Sequence, residues 1–182
     1  MKRVTKLTIL TNAALAVLLL VVGVVCFLPV GVSTAGKLSD RVYYSGNTDS
    51  KYVSVMINVY WGTEYIPAML DVLDEYNAKA TFFVGGSWAD DHTEALREIV
   101  RRGHELGNHG YFHKDQDKLN YEKNAEEIRL CGELVEQLTD VKMSLFAPPS
   151  GAYSENTVDA AEELGYKVIL WSKDTIDWRG RD

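Results

Sequence analysis

From Lys51 onward the chain alternates between two hydrophobic periods. Val53–Val59 is a β-branched, apolar run that predicts a buried strand. Glu64–Tyr76 places Ile66, Met69, Leu70, Leu73 and Tyr76 at helical spacing. Lys79–Val84 reads as a second strand, closed by Gly85 and Gly86. Thr93–Arg102 reads as a helix with Leu96, Ile99 and Val100 on one face and Gly103 as its stop. Glu105–Asn108 is a short third strand. Tyr121–Leu138 is a second long helix, with Ile128, Cys131, Val135 and Leu138 along one side. Met143–Phe146 is a fourth strand, Ser154–Leu164 a helix capped by Ser154 and ended by Gly165, and Lys167–Ser172 a fifth strand. No internal repeat or low-complexity segment interrupts this order. Strands alternating with helices predict parallel βαβ units and an α/β fold. A closed eight-unit barrel commonly needs about 200–250 residues, and this stretch supplies five units. The expectation is therefore an open sheet or a (β/α) barrel that is incomplete at its C-terminal end. In either form chemistry belongs at the carboxyl ends of the strands.

The first thirty residues follow neither period. Lys2, Arg3 and Lys6 precede an uncharged run, and Ala13–Val30 is unbroken apolar or small, long enough to signal a membrane-spanning helix. The basic flank predicts a cytoplasmic N-terminus and an exported remainder. The reading is a cytoplasmic tail over 1–6, a transmembrane signal anchor over 7–30, a linker over 31–50 and one globular domain over 51–182. The rival is a cleaved signal peptide, with Ser33-Thr34-Ala35 as the cleavage site and a secreted product. The apolar run exceeds a usual signal core of about 7–15 residues, which favours the uncleaved anchor. Apolar residues all round oppose a buried helix of a soluble protein. Cys26 follows Val24-Val25, without the small residue of a lipoprotein site, and reads as apolar filler. Cys131 is then the sole exported cysteine, a small core residue with no disulfide partner.

Charge narrows the partners. The 182 residues carry 19 Lys+Arg against 26 Asp+Glu, a net charge of −7. Three of the basic residues and none of the acidic ones precede residue 31, which leaves the rest of the chain at −10. A surface that acidic excludes nucleic acid as a partner, because phosphate contacts need basic side chains.

Four groups of unusual residues fall at predicted strand ends: Asn58-Val59-Tyr60-Trp61-Gly62, His109-Gly110-Tyr111-Phe112-His113, Ala147-Pro148-Pro149-Ser150-Gly151 and Asp174-Thr175-Ile176-Asp177-Trp178. His109 and His113 are four apart. On a turn of helix they project the same way and ligate one divalent ion, with zinc, cobalt or nickel suiting imidazole. Spacing alone also fits two surface histidines in a polar loop. His104 packs or caps at a strand start, and His92 sits at an acid-rich helix N-terminus.

The ordered set resembles the polysaccharide deacetylases, the family defined by the nodulation-protein deacetylase homology domain. The resemblance runs from about Ser54 to the end: Val55 to Gly62, Ala80-Thr81-Phe82-Phe83-Val84-Gly85, Gly103-His104-Glu105-Leu106-Gly107-Asn108-His109 with His113, Pro148-Pro149-Ser150-Gly151, Gly165-Tyr166, and Asp174 to Trp178. Trp61-Gly62 and the N-terminal anchor look most like the membrane-anchored, sporulation-associated branch. The resemblance implies a distorted (β/α) barrel of the glycoside hydrolase/deacetylase type. It also implies metal-assisted removal of N-acetyl groups from cell-wall glycan or peptidoglycan. In that family a Thr-Phe-Asp-Asp-Gly motif supplies the general base and one metal ligand, two histidines supply the other ligands, and a later Leu-x-His motif protonates the leaving amine. The metal lowers the pKa of its water and polarises the acetamide.

The departures fall in the acid–base machinery. Asn58 stands at the base position, Val59 at the second carboxylate and Ala147 at an Arg, and no Leu-x-His occurs before Asp182. An amide takes up no proton near neutral pH, and general-base catalysis typically contributes about 10²–10⁴-fold. His109 and His113 match as metal ligands, Pro149 and Gly151 as substrate-binding positions, and Asp177 and Trp178 as the supporting motif. Glu64 and Asp115 are the carboxylates near enough in sequence to replace the lost ligand. Trp61 and Trp178 read as sugar-stacking walls or as core. Two functions remain open: a hydrolase of reduced activity, and a glycan-binding or sporulation-structural protein that keeps the fold without the chemistry.

Overall fold

The computed structural model describes residues 2–27, 37–46, 49, 51–176 and 179. Contacts divide the chain into two units, Met1–Ala35 and Gly36–Asp182. The first holds α1 (Lys2–Phe27), whose apolar residues show no sidedness. Its side chains are described over residues 8–20. Among the described residues no helix is long and apolar enough to cross a membrane.

The second unit runs β1 (Val42–Tyr43), β2 (Val55–Val59), α2 (Ile66–Glu75), β3 (Ala80–Val84), α3 (Gly86–Asp91), α4 (Thr93–Arg101), β4 (Glu105–Asn108), α5 (Tyr121–Thr139), β5 (Leu145–Phe146), α6 (Glu155–Glu163) and β6 (Lys167–Ile169). The strands form one sheet in the order β1-β6-β5-β4-β3-β2, and every pairing is parallel. β1 and β2 are its edges, so the described strands form an open sheet and not a closed barrel. The expected βα units are present at nearly the expected bounds. Asn120 caps α5 by accepting from the Lys123 N–H at 3.0 Å. Ser154 and Thr157 form a capping box on α6.

Two expectations are corrected. Residues 31–50 are not simply a linker: Leu38–Arg41 form a 3₁₀ turn and Val42–Tyr43 pair with Val168–Ile169. Val42 is buried with Ile128, Phe146 and Val168, and Arg41 bridges Asp159 and Glu162 of α6. A two-residue strand is too short to show a period, which hid it in the sequence. β2, expected to be buried, is an edge strand in which only Val59 is buried. An apolar run does not reveal how many neighbours a strand has.

The register sorts the side chains of the site. Ile57, Phe82 and Leu106 share a row, and all three pack with the helices, as does Val59. Asn58, Phe83 and Gly107 form the next row and face the other side of the sheet. There the Phe83 ring lies over Gly107, where a Cβ would come 2.4 Å from it. Gly107 is therefore required for close approach, not for its backbone angle.

Candidate functional site

The site is built at the carboxyl ends of β4 and β2. The backbone N–H of His109 donates to the Val84 carbonyl at 3.0 Å, and that of Ala147 to the Asn108 carbonyl at 2.9 Å, so the loops leave their strands in register. Asn108 is fully buried. Its side-chain nitrogen donates to the Ile128 carbonyl at 2.7 Å, and its oxygen accepts from the Gly110 N–H at 2.9 Å. His109 is 1% exposed, and its Nδ1 lies 2.7 Å from the Ala147 carbonyl. A carbonyl only accepts, so Nδ1 carries the proton and Nε2 keeps its lone pair. Ala147, where the family has Arg, thus serves the site through its backbone.

His113 reaches the site by a route other than the helical turn expected. Residues 109–115 are a loop, and His113 adopts φ +52°, a left-handed conformation uncommon outside glycine. The two imidazoles converge all the same, with ring centroids 5.1 Å apart and planes at 61°. Tyr60 joins them: its ring stacks on His113 at 3.5 Å and 19°, and lies 5.9 Å from His109. Burial pushes the His109 pKa down to about 4, against the opposing effect of its bond to Ala147. Burial also lowers that of His113. Both rings are neutral at pH 7.

Asn58 is exposed at the sheet's edge, two residues before Tyr60 and on the same face. Val59 points the other way, into the cluster with Ile66, Leu70 and Trp88. Glu64 folds back on its own turn, where Oε2 accepts from the Thr63 N–H at 2.9 Å. Asp115 is paired with Lys118, which lowers its pKa. Two neutral imidazoles, one anchored on a carbonyl, suit a divalent ion. Among the described residues no carboxylate completes a three-ligand site, and no group of three His, Cys, Asp or Glu is placed to hold a metal. The residues present therefore do not fit the family's full metal site.

The remaining candidates divide. Trp61 is 86% exposed, which rules out a core role and leaves its face free. Pro149 is buried, with its Cγ within 3.7 Å of where a Gly110 Cβ would stand. Gly151, at φ +65°, turns beneath Trp171. Both shape the loop beside the imidazoles. Asp174 accepts from the Ile176 N–H at 2.9 Å within its own turn. Asp177 and Trp178 lie outside the described residues. Two residues of the site were missed in the sequence. Tyr60 was readable from strand alternation, being two on from Asn58. Glu127 was readable as an acid on the apolar face of α5, between Asn124 and Cys131. His104 and Cys131 have the core roles expected: the Ala80 N–H donates to His104 Nδ1, and Cys131 Sγ donates to the Val84 carbonyl. Burial raises the Cys131 pKa to about 12.

The family profile described as Polysaccharide deacetylase matches residues 45–169. The chain belongs to the polysaccharide deacetylase family. It is 40% identical over 143 residues to YlxY of Bacillus subtilis, a match covering 79% of this chain and 45% of that protein. It is 30% identical over 138 residues to the peptidoglycan-N-acetylmuramic acid deacetylase PdaA of Bacillus subtilis, covering 75% and 52%. The chain thus spans about half the length of the curated relatives it matches. Among solved structures it resembles BA3943, a CE4 family pseudoenzyme from Bacillus anthracis, at 34% identity and a TM-score of 0.76, over 78% of this chain and 50% of that one. It matches a BA3943 mutant described as having restored enzymatic activity at 32% identity and a TM-score of 0.76, over 78% and 52%. The parallel sheet is the curled half-barrel of this family, and the family's deacetylases are metal-dependent.

Proposed function

We propose that this unit is a polysaccharide deacetylase-like hydrolase of carbon–nitrogen bonds, directed at N-acetylated cell-wall glycan or peptidoglycan, with turnover reduced to a low residual level. Glycan recognition is the capacity its geometry retains. The observation that carries this reading is the cluster of Tyr60, His109 and His113 beside Asn58 in the base position. An amide both donates and accepts, so Asn58 complements the C=O and N–H of an acetamide where a carboxylate would remove a proton. The exposed face of Trp61 suits stacking on a pyranose ring. The deacetylase named among the relatives and the pseudoenzyme named among the similar structures both support the reading.

The expected result is binding of chito-oligosaccharide that survives a chelator, with acetate release that is slow but measurably above that of a His109→Ala, His113→Ala control. Binding abolished by the chelator would overturn it. Zinc-dependent release well above the control would favour a fully competent deacetylase, a reading supported by the neutral imidazoles and the bare Nε2 of His109.

The same reading takes the unit outside the cytoplasm as a single-pass membrane protein, held by the N-terminal segment as an uncleaved anchor. Lys2, Arg3 and Lys6 ahead of an uncharged apolar run support that orientation. Together with Trp61-Gly62, that anchor supports membership of the sporulation-associated branch.

A further inference from the structure

We propose that Glu127 of α5 is the positioning residue for His113, a carboxylate clamp that fixes the loop on both sides of that histidine. The inference rests on the reading of the imidazole cluster as the glycan site. Glu127 is 4% exposed and sits on the stripe of α5 that carries Ile128, Cys131 and Val135 into the core. A hydrophobe at that place would serve packing better, since a buried carboxylate persists only where its oxygens are well paired. They are paired entirely with the histidine loop. Oε2 accepts from the Tyr111 N–H at 3.0 Å and the Phe112 N–H at 2.8 Å. Oε1 lies 2.7 Å from the Lys114 ammonium, which also stands over the Phe112 ring at 4.9 Å.

The clamp therefore grips residues 111 and 112 before His113 and residue 114 after it. The carbonyl side of the same segment is held by α3, where the Gly86 N–H donates to Gly110 at 2.9 Å and the Ser87 N–H to Tyr111 at 3.0 Å. With both flanks fixed, the turn between them closes through φ +52° at His113. A non-glycine residue stays in that conformation only when its surroundings over-determine it. The result is the stack of His113 on Tyr60. His109 needs no such help, because it leaves β4 in register and is anchored on Ala147.

The test is the imidazole proton spectrum of the full chain and of Glu127→Ala, with Glu127→Gln as the conservative variant. A ring stacked at 3.5 Å shifts the His113 protons upfield. In Glu127→Ala that shift is lost while the His109 signals stay in place, and affinity for chito-oligosaccharide falls at least tenfold. Glu127→Gln keeps an acceptor for the two amides and recovers most of the His113 shift. An unchanged His113 shift in Glu127→Ala overturns the proposal. So does an Ala-like loss in a folded Glu127→Gln. The ring shift needs no glycan, so failure of the clamp is read separately from failure of glycan recognition.

Discussion

Replacing Asn58 by Asp raises acetate release from chito-oligosaccharide or peptidoglycan fragments by about 10²-fold, at the lower end of the 10²–10⁴ that a positioned general base contributes. The lower end follows from the surroundings. Asn58 is exposed at the edge of the sheet, so a carboxylate there is ionised at neutral pH and pays no desolvation penalty. An exposed carboxylate with a pKa near 4 is a weak base at pH 7, and Ala147 offers no guanidinium to orient it. Asn58→Gln keeps the amide chemistry and gives no gain. The gain in Asn58→Asp disappears when His109 is also changed to Ala, because base and imidazole work on the same bound acetamide. An Asn58→Asp variant that stays at the wild-type rate would locate the defect elsewhere. The limiting loss would then be the missing third donor beside His109 and His113, not the proton acceptor.

The sequence carried the periodic part of this fold, and physics explains where that reading stopped. Helical spacing placed α2, α4, α5 and α6 within two residues of their observed ends, because each buries one apolar stripe. The strands β3 and β4 were legible as short runs between turn residues, being buried at nearly every position and not along one stripe. Val42–Tyr43 was not, since pairing partners and not local pattern make it a strand. α3, the short helix Gly86–Asp91, was also missed: Gly85-Gly86 reads as a strand stop, and one turn and a half has no period to show. At the site, residue identity carried His109, His113 and Asn58, and the structure brings all three to one end of the sheet. What identity could not carry was orientation. Val59 and Tyr60 are adjacent letters, but the pleat sends one into the helix layer and the other onto His113. Spacing put the histidines on a helix, while a clamped loop brings them together instead. Among the described residues the buried polar ones include Asn108, His109, Gln116, Asn124 and Glu127, all at the end of β4, in the loop after it or on the part of α5 beneath it. A buried polar group is a tertiary fact, because only its partners tell whether it is satisfied.

The domain loses stability on mild acidification, before its carboxylates titrate. Three histidines are held below their ordinary pKa, each mainly by burial: His104, His109 and His113. His104 is 6% exposed, and its Nδ1 accepts from the Ala80 N–H, a bond that protonation breaks. The nearby Lys79 and Arg102 lower its pKa further, while Asp74 opposes them. The sign follows from proton counting. Below about pH 6.5 the unfolded chain takes up protons on these imidazoles and the folded chain does not, so acid favours unfolding. The stability they contribute is complete above that pH and falls as the pH drops toward the folded value of about 4 for His109. For His109 alone, moving from pH 7 to pH 5 costs about 2 kcal/mol. His104 and His113 add to the same slope. An opposing effect is the approach to the isoelectric point near 5.1, which relieves repulsion in an acidic chain. That relief acts between exposed charges and is screened at physiological salt, so the buried imidazoles win. Urea unfolding at pH 7, 6 and 5 measures the slope, and it should be shallower in His109→Gln. A profile flat from pH 7 to pH 5 would mean that these rings are open to water in the folded protein, and the packed cluster of Tyr60, His109 and His113 would be wrong.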